Sequence, residues 1–165
     1  MLYLDNAATT PLLPEVRKVM INYMVDNFGN PSSIYKIGRM NKIAVEEARK
    51  SIAKTIGACP DDIFFTSGGT ESDNWVLESA AESATESDSA HIIVSAIEHP
   101  AVINKCIQLK KRGCDVDYIK TDKNGIINTD DLISKIRDDT KLISVMLVNN
   151  EIGTIQPVKN VCNIA

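Results

Sequence analysis

No apolar run in the 165 residues approaches the ~20 needed to span a bilayer. The opening MLYLDNAATT also lacks the basic start and long apolar core of a secretion signal, so a cytoplasmic chain is expected. Cysteine is scarce and unpatterned. Cys59, Cys106, Cys114 and Cys162 form no C-x-x-C pair and have no histidine at ligand spacing, which argues against a metal site and against a disulfide framework. Cys106 shares a helical face with Val102 and Leu109, so packing is its expected role. Basic charge is not in surplus: Lys and Arg number 18 against 22 Asp and Glu, scattered along a chain of net charge −4. Nucleic acid is therefore a poor partner, and any anion site must be local. No Gly-Lys-Ser/Thr and no G-x-G-x-x-G occurs, which removes the nucleotide P-loop and the dinucleotide fingerprint. No internal repeat is present.

What is there is an ordinary globular composition, 44% hydrophobic and 24% charged, enough for a domain with a substantial core. The pattern predicts a short strand at LYL, then a helix over 15–25 with Val16, Val19, Met20 and Tyr23 at helical spacing. FGNPSS must break regular structure. A long amphipathic helix over 38–56 follows, with Val45, Ala48, Ile52 and Ile56 on one side and Gly57 placed to end it. DDIFF reads as a strand, TSGGTES as a glycine turn and NWVLESAAESA as a helix, closed by the polar connector ESATESDSA. Strand HIIVSA, helix 100–111, strand DVDYI, turn DKNG, helix 129–137, strand KLISVMLV and a last helix begun by Pro157 complete the alternation. Strands separated by helices imply an α/β fold with a mainly parallel sheet and helices on both faces.

In such sheets ligands gather beyond the carboxyl ends of the strands. Three polar clusters are expected there: TSGGTES after IFF, IEHP after HIIVSA, and NNEIG after LISVMLV. Gly68 and Gly69 can adopt backbone angles closed to other residues and admit a close approach, while Thr70 or Ser72 could cap the helix. Free amides at the positive end of a helix dipole suit a phosphate, although a tight connection that binds nothing has the same pattern. His99 could act as an acid or base or lie against a flat ligand, or be a loop histidine bonded to its neighbours. His91, leading into a strand, is expected to be exposed. Asn149 and Asn150 can each donate and accept, which suits a phenol or carboxylate but equally a turn.

The motifs YLDNAATTP, FGNPSS with GR behind it, FTSGGTESDN, EHPAV and VNNEIGTIQP occur in the order seen in cysteine desulfurases, pyridoxal-phosphate enzymes of the class V aminotransferase group. The resemblance covers essentially the whole chain. It implies the large-domain fold of fold-type I pyridoxal-phosphate enzymes, with residues 1–13 resembling part of the small domain and 14–165 the first part of the cofactor-binding large domain. It further implies that Gly69 and Thr70 hold the cofactor phosphate and that His99 stacks on the pyridine ring and assists proton transfer. Asn150 would bond the phenolic oxygen near the substrate carboxylate, and Asn30 would line the substrate entrance. The implied reaction takes sulfur from L-cysteine, leaves alanine and holds the sulfur as a persulfide for an iron–sulfur scaffold or other acceptor. A homodimer is the implied assembly.

The family's Schiff-base lysine, its pyridine-pairing aspartate, its substrate-gripping arginine and its sulfur-accepting cysteine are expected beyond position 165. The 13 lysines here fall mainly on polar faces or in loops, so a catalytically incomplete amino-terminal portion is expected. Tyr35 stands where many relatives have histidine, three residues before the glycine of GR. Two alternatives remain: a selenocysteine lyase or other class V lyase or aminotransferase, and a short non-catalytic relative serving as a binding or dimerisation module.

Overall fold

In the computed structural model, which describes residues 2–83 and 90–165, the chain divides into two units, Met1–Phe65 and Thr66–Ala165. Most of the expected connector ESATESDSA lies outside the described residues.

The first unit holds α1, Pro14–Val25, and α2, Lys36–Ile56. Pro14 occupies the first turn of α1, where its missing N–H costs nothing. Gly57 ends α2 in the left-handed region (φ 71°), its N–H donating to Ala53 O. The expected apolar face of α2 is not a core: Ile52 and Ile56 stay 42% and 65% exposed, and the buried residues are Gly38, Asn41 and Ala53. No residue of α1 is buried. A groove of about 910 Å³ runs beside both helices, lined by Val19, Tyr23, Phe28, Val45 and Phe65 among others.

Two expected strands do not form. LYL has no regular structure. DDIFF instead supplies part of a 3₁₀ turn, Pro60–Asp62, followed by extended backbone at Ile63 that joins no sheet among the described residues. Its apolar residues favour extended backbone, but a strand exists only through a paired neighbour. Arg49 supports this segment by donating to Ile63 O while its guanidinium lies 5.0 Å from the Phe65 ring centre.

The second unit carries the sheet. β1 (His91–Ser95), β2 (Asp115–Ile119) and β3 (Thr140–Ser144) are all parallel in the order β2-β1-β3. The central strand is buried along its whole length, which is why HIIVS reads as a continuous apolar run and not an alternating one. Ile92 and Val94 face α3 (Gly69–Glu82) and α4 (Pro100–Lys111), meeting Leu77, Val102, Cys106 and Leu109. Ile93 faces the other way, toward Leu132 of α5 (Thr129–Lys135) and Val161 of α6 (Val158–Ile164). Helices therefore cover both faces, as expected, and each fully buried aliphatic of β1 contributes roughly 1.5–3 kcal/mol of transfer free energy.

His91 is the exception in this strand. It has no exposed surface, contrary to expectation, and its ring reaches Thr140 Oγ1 and Asp117 Oδ2 on the flanking strands. Two elements are shorter than the pattern suggests. α5 stops at Lys135 because Ile136 is extended and packs into the core. β3 stops at Ser144, two residues before the Met146 N–H, which bonds to a side chain instead of a strand.

Candidate active site

At the start of α3 the glycine turn does not follow the expected capping. Gly68 is the N-cap residue and no side chain caps the helix; Thr66 Oγ1 lies 2.7 Å from Ser72 Oγ, so neither Thr70 nor Ser72 fills that role. Glu71 folds backward and accepts from both the N–H and the hydroxyl of Ser67 at 2.6 Å, which holds its carboxyl below the usual range. The carboxylate that could have neutralised the helix start is thus engaged behind it. The amides of Gly69, Thr70 and Glu71, which the geometry of a first turn leaves without intrahelical acceptors, have no other protein acceptor among the described residues.

The two glycines also differ from expectation in their backbone. Neither lies in the left-handed region, and a Cβ added at Gly68 or Gly69 would meet no atom within 4 Å. Nothing in the chain's own packing demands glycine there. The consequence of having it is a bare backbone edge facing open space, at the positive end of a helix of 14 residues.

His99 is the N-cap of α4. Its Nδ1 accepts from the Ala101 N–H at 3.1 Å, which places the proton of the neutral ring on Nε2 and leaves that nitrogen for a ligand. The capping bond explains why the exposed ring has a fixed orientation. Pro100 at the first helical position fixes the backbone behind it.

Asn150 sits in a tight turn that follows β3. Val148 pairs with Ile155, the Gly153 N–H donates to Asn149 O at 2.8 Å, and Gly153 takes φ 70°, a conformation that a side chain would strain. Asn149 is buried and its Oδ1 accepts from the N–H groups of Glu151 and Ile152, so the turn is built by Asn149 and displays Asn150 outward. The Asn150 amide is exposed and donates to Glu151 Oε1 at 3.1 Å.

These elements converge in the second unit. Glu98 Oε1 accepts from the Met146 N–H at 2.6 Å and Asn149 Nδ2 donates to Ile97 O at 3.2 Å, so the loops bearing His99 and Asn150 are bonded to each other beyond β1 and β3. A cavity of about 280 Å³ is shared by Asp73 and Leu77 of α3, Val102 in the first turn of α4, and Ser144 and Val145 at the end of β3. The beginning of α3 therefore lies at the same, carboxyl end of the sheet. One cluster does not come from a strand, since IFF joins no sheet among the described residues, yet its glycine turn still belongs to this group.

Asn30 belongs to the first unit. Its Oδ1 accepts from the Ser32 N–H at 2.9 Å, and the loop is pressed against the start of α2. A Cβ on Gly38 would fall 2.6 Å from Asn30 O, and Asn41 Nδ2 donates to the carbonyls of Asn27 and Gly29. FGNPSS and the GR behind it are one packed structure.

Sequence reasoning missed Glu98, Asn41 and Gln156. Gln156 is buried and bridges the turn at 122–127, donating to Gly125 O at 2.7 Å and accepting from the Ile127 N–H at 3.0 Å. Glu98 and Gln156 are polar residues inside the motifs EHPAV and VNNEIGTIQP, which is their only signal, whereas Asn41 lies two residues beyond GR and carries none.

The residues present fit a flat, phosphate-bearing group: bare amides for the phosphate, an oriented ring nitrogen and an exposed amide on neighbouring loops. Comparison with known proteins gives the family. The family described as Aminotransferase class-V matches residues 2–165. The chain is 52% identical over 163 residues to a cysteine desulfurase IscS of Methanosarcina thermophila and 49% identical to one of Dictyoglomus turgidum, covering 99% of this chain in both cases. It spans 40% and 41% of those relatives' lengths. Among solved structures, a NifS-like protein superposes with a TM-score of 0.93 at 40% identity, over 97% of this chain and 44% of the other. The structure of SspA in complex with cysteine gives 0.93 at 38% identity, over 99% and 47%.

Proposed function

The chain belongs to the class V aminotransferase family, and from that premise we propose that it supplies the phosphate cradle, ring partner and phenol ligand of a pyridoxal 5′-phosphate-dependent cysteine desulfurase. The observation that carries this reading is the convergence, at one end of the sheet, of unpartnered helix-start amides with His99 and Asn150. When bound, pyridoxal phosphate supplies the electron sink for breaking the carbon–sulfur bond of L-cysteine. Gly69 and Thr70 bind its phosphate through backbone N–H groups, the open side of the glycines giving the approach. His99 orients the ring and holds or passes a proton at Nε2, because Nδ1 is committed to the Ala101 amide. Asn150 turns its amide to the phenolic oxygen.

On this reading residues 1–13 contribute to a small domain and 14–165 begin the cofactor-binding domain. The whole enzyme is cytoplasmic and homodimeric, converts L-cysteine to L-alanine and delivers the sulfur to an iron–sulfur scaffold or another acceptor protein. The desulfurase names of the relatives and the cysteine bound to SspA support that substrate. The 165 residues alone hold the cofactor weakly, through phosphate and ring, without turnover.

Amide and ring NMR shifts of the 165-residue chain, followed during titration with pyridoxal phosphate and separately with inorganic phosphate, test the reading. Both ligands should move Gly69 and Thr70; only pyridoxal phosphate should move His99 and Asn150. Gly69→Val should abolish the response at the helix start without lowering thermal stability, since its Cβ would meet no atom within 4 Å. A wild-type response from Gly69→Val would remove this turn from the site.

A further inference from the structure

The residue before each site side chain reaches across to the loop that carries the other. Glu98, preceding His99, accepts from the Met146 N–H (2.6 Å) and the Ser95 hydroxyl (2.7 Å) through a single oxygen, Oε1. Asn149, preceding Asn150, donates Nδ2 to Ile97 O, one residue before Glu98, and also reaches Met146 Sδ. From this reciprocal pairing we propose that Glu98 and Asn149 are positioning residues that lock the His99 and Asn150 loops into one rigid pair. The proposal rests on the reading of those two residues as ligand contacts.

The chemistry of the pair is specific. Among the described residues Glu98 has no cationic partner; its donors are a backbone amide and Ser95, a hydroxyl with no exposed surface. A carboxylate held by neutral donors at 2.6–2.7 Å makes short, charge-assisted bonds that fix distance and direction more strictly than a surface ion pair. Strand pairing cannot supply the link, because β1 and β3 end at Ser95 and Ser144. Asn149 divides its two ends: Oδ1 builds its own turn and Nδ2 crosses to the other loop. The two functions can therefore be separated by substitution. Asp at 149 keeps the acceptor for Glu151 and Ile152 but has no donor for Ile97 O, and Gln at 98 keeps an acceptor oxygen for Met146.

Hydrogen exchange without ligand, and pyridoxal-phosphate-induced NMR shifts, should be measured on the wild-type chain and on Glu98→Ala, Glu98→Gln, Asn149→Asp and Asn149→Ala, with far-ultraviolet circular dichroism to confirm folding. Glu98→Ala should raise exchange about tenfold at Met146, the scale of losing one charge-assisted bond. It should also raise exchange at Glu151 and Ile152, which Glu98 does not touch. Asn149→Asp should do the same at Met146 while keeping its own turn protected, and Glu98→Gln should restore most of the wild-type pattern. With pyridoxal phosphate, Glu98→Ala and Asn149→Asp should keep the Gly69 and Thr70 response but lose that of His99 and Asn150. Exchange changes confined to Met146 in Glu98→Ala, or Glu98→Gln as damaging as Glu98→Ala, would overturn the proposal. If wild-type His99 and Asn150 do not respond to the cofactor, the functional reading fails, while the exchange data still decide whether the loops are locked.

Discussion

His91 Nδ1 lies 2.8 Å from Thr140 Oγ1, joining the central strand to β3 at the head of the sheet. The Thr140 hydroxyl oxygen already accepts from the Arg137 N–H at 2.9 Å, so its hydrogen is available to Nδ1. The ring proton then sits on Nε2, which faces Asp117 Oδ2 at 3.3 Å. One imidazole with no exposed surface thereby ties all three strands together.

His91→Ala should lower the unfolding free energy by about 2–4 kcal/mol, from the cavity plus the stranded hydroxyl. Asp117→Asn should cost under about 1 kcal/mol, because an asparagine oxygen can still accept from Nε2 and the site is near solvent. Urea unfolding followed by circular dichroism measures both. Equal losses from the two substitutions would contradict the assigned tautomer.

Gly38→Ala should damage the first unit although alanine is the better helix former by about 1 kcal/mol. Its Cβ would lie 2.6 Å from Asn30 O and 2.7 Å from Ser33 Cβ and O, within a loop that Asn41 also grips. Faster amide exchange over residues 27–33 and a net loss of about 1–3 kcal/mol are expected, the scale of an overpacked contact. Gly69→Ala, whose Cβ meets open space at the start of a helix, should be neutral or stabilising. Equal stability of Gly38→Ala and wild type would mean that the loop is not seated on α2.

Much of the second unit was legible because local signals and global packing agree there. Pro100 starts α4, Asp115–Ile119 forms β2 as read, and Cys106 sits with Val102 and Leu109 in the core. The failures share a cause. LYL and IFF carry the composition of strands, but pairing is a property of a neighbour and not of the segment. His91 was misjudged because burial at a strand head depends on Asp117 and Thr140, 26 and 49 residues away. The glycine turn has the open approach expected of it but not the unusual backbone angles: neither glycine is left-handed, and the edge is unobstructed. Glu98 and Gln156 were unreadable for the same reason: their partners lie 48 and 29–31 residues distant, and no spacing rule reaches that far.

Acid should weaken the seating of α5. Asp131 accepts from the Lys135 ammonium at 2.6 Å and the Lys120 N–H at 2.9 Å, and these bonds, led by that to Lys135, hold its carboxyl below the usual range. A carboxyl whose folded pKa is depressed contributes its full stability above the unfolded value, about 3.9, and loses it as pH falls through the folded one. The contribution is at most about 1 kcal/mol because the pair still meets solvent. Asp131→Asn should therefore be less stable than wild type at pH 6 and indistinguishable from it near pH 2. A difference that persists undiminished at low pH would assign the effect to packing and not to charge.

Thiol reactivity should separate the four cysteines by environment. Cys106 has no exposed surface, and burial pushes its thiol up to about 11, so little thiolate exists near neutrality and no reagent reaches it. Cys114 is partly covered, its thiol is raised by burial, and its Sγ lies 3.1 Å from Ala90 O. Cys59 and Cys162 are exposed. Iodoacetamide at pH 8 with peptide mapping over time should label Cys59 and Cys162 first, Cys114 at least about tenfold more slowly, and Cys106 only with denaturant, because the thiolate is the reacting species. The order is a direct reading of the packing of α4 on β1: Cys106 can be modified only if that helix lifts from Ile92 and Val94. Labelling of Cys106 in buffer at the rate of Cys59 would show that the core between α4 and the sheet is open, and with it that His99 has no fixed helix start from which to act.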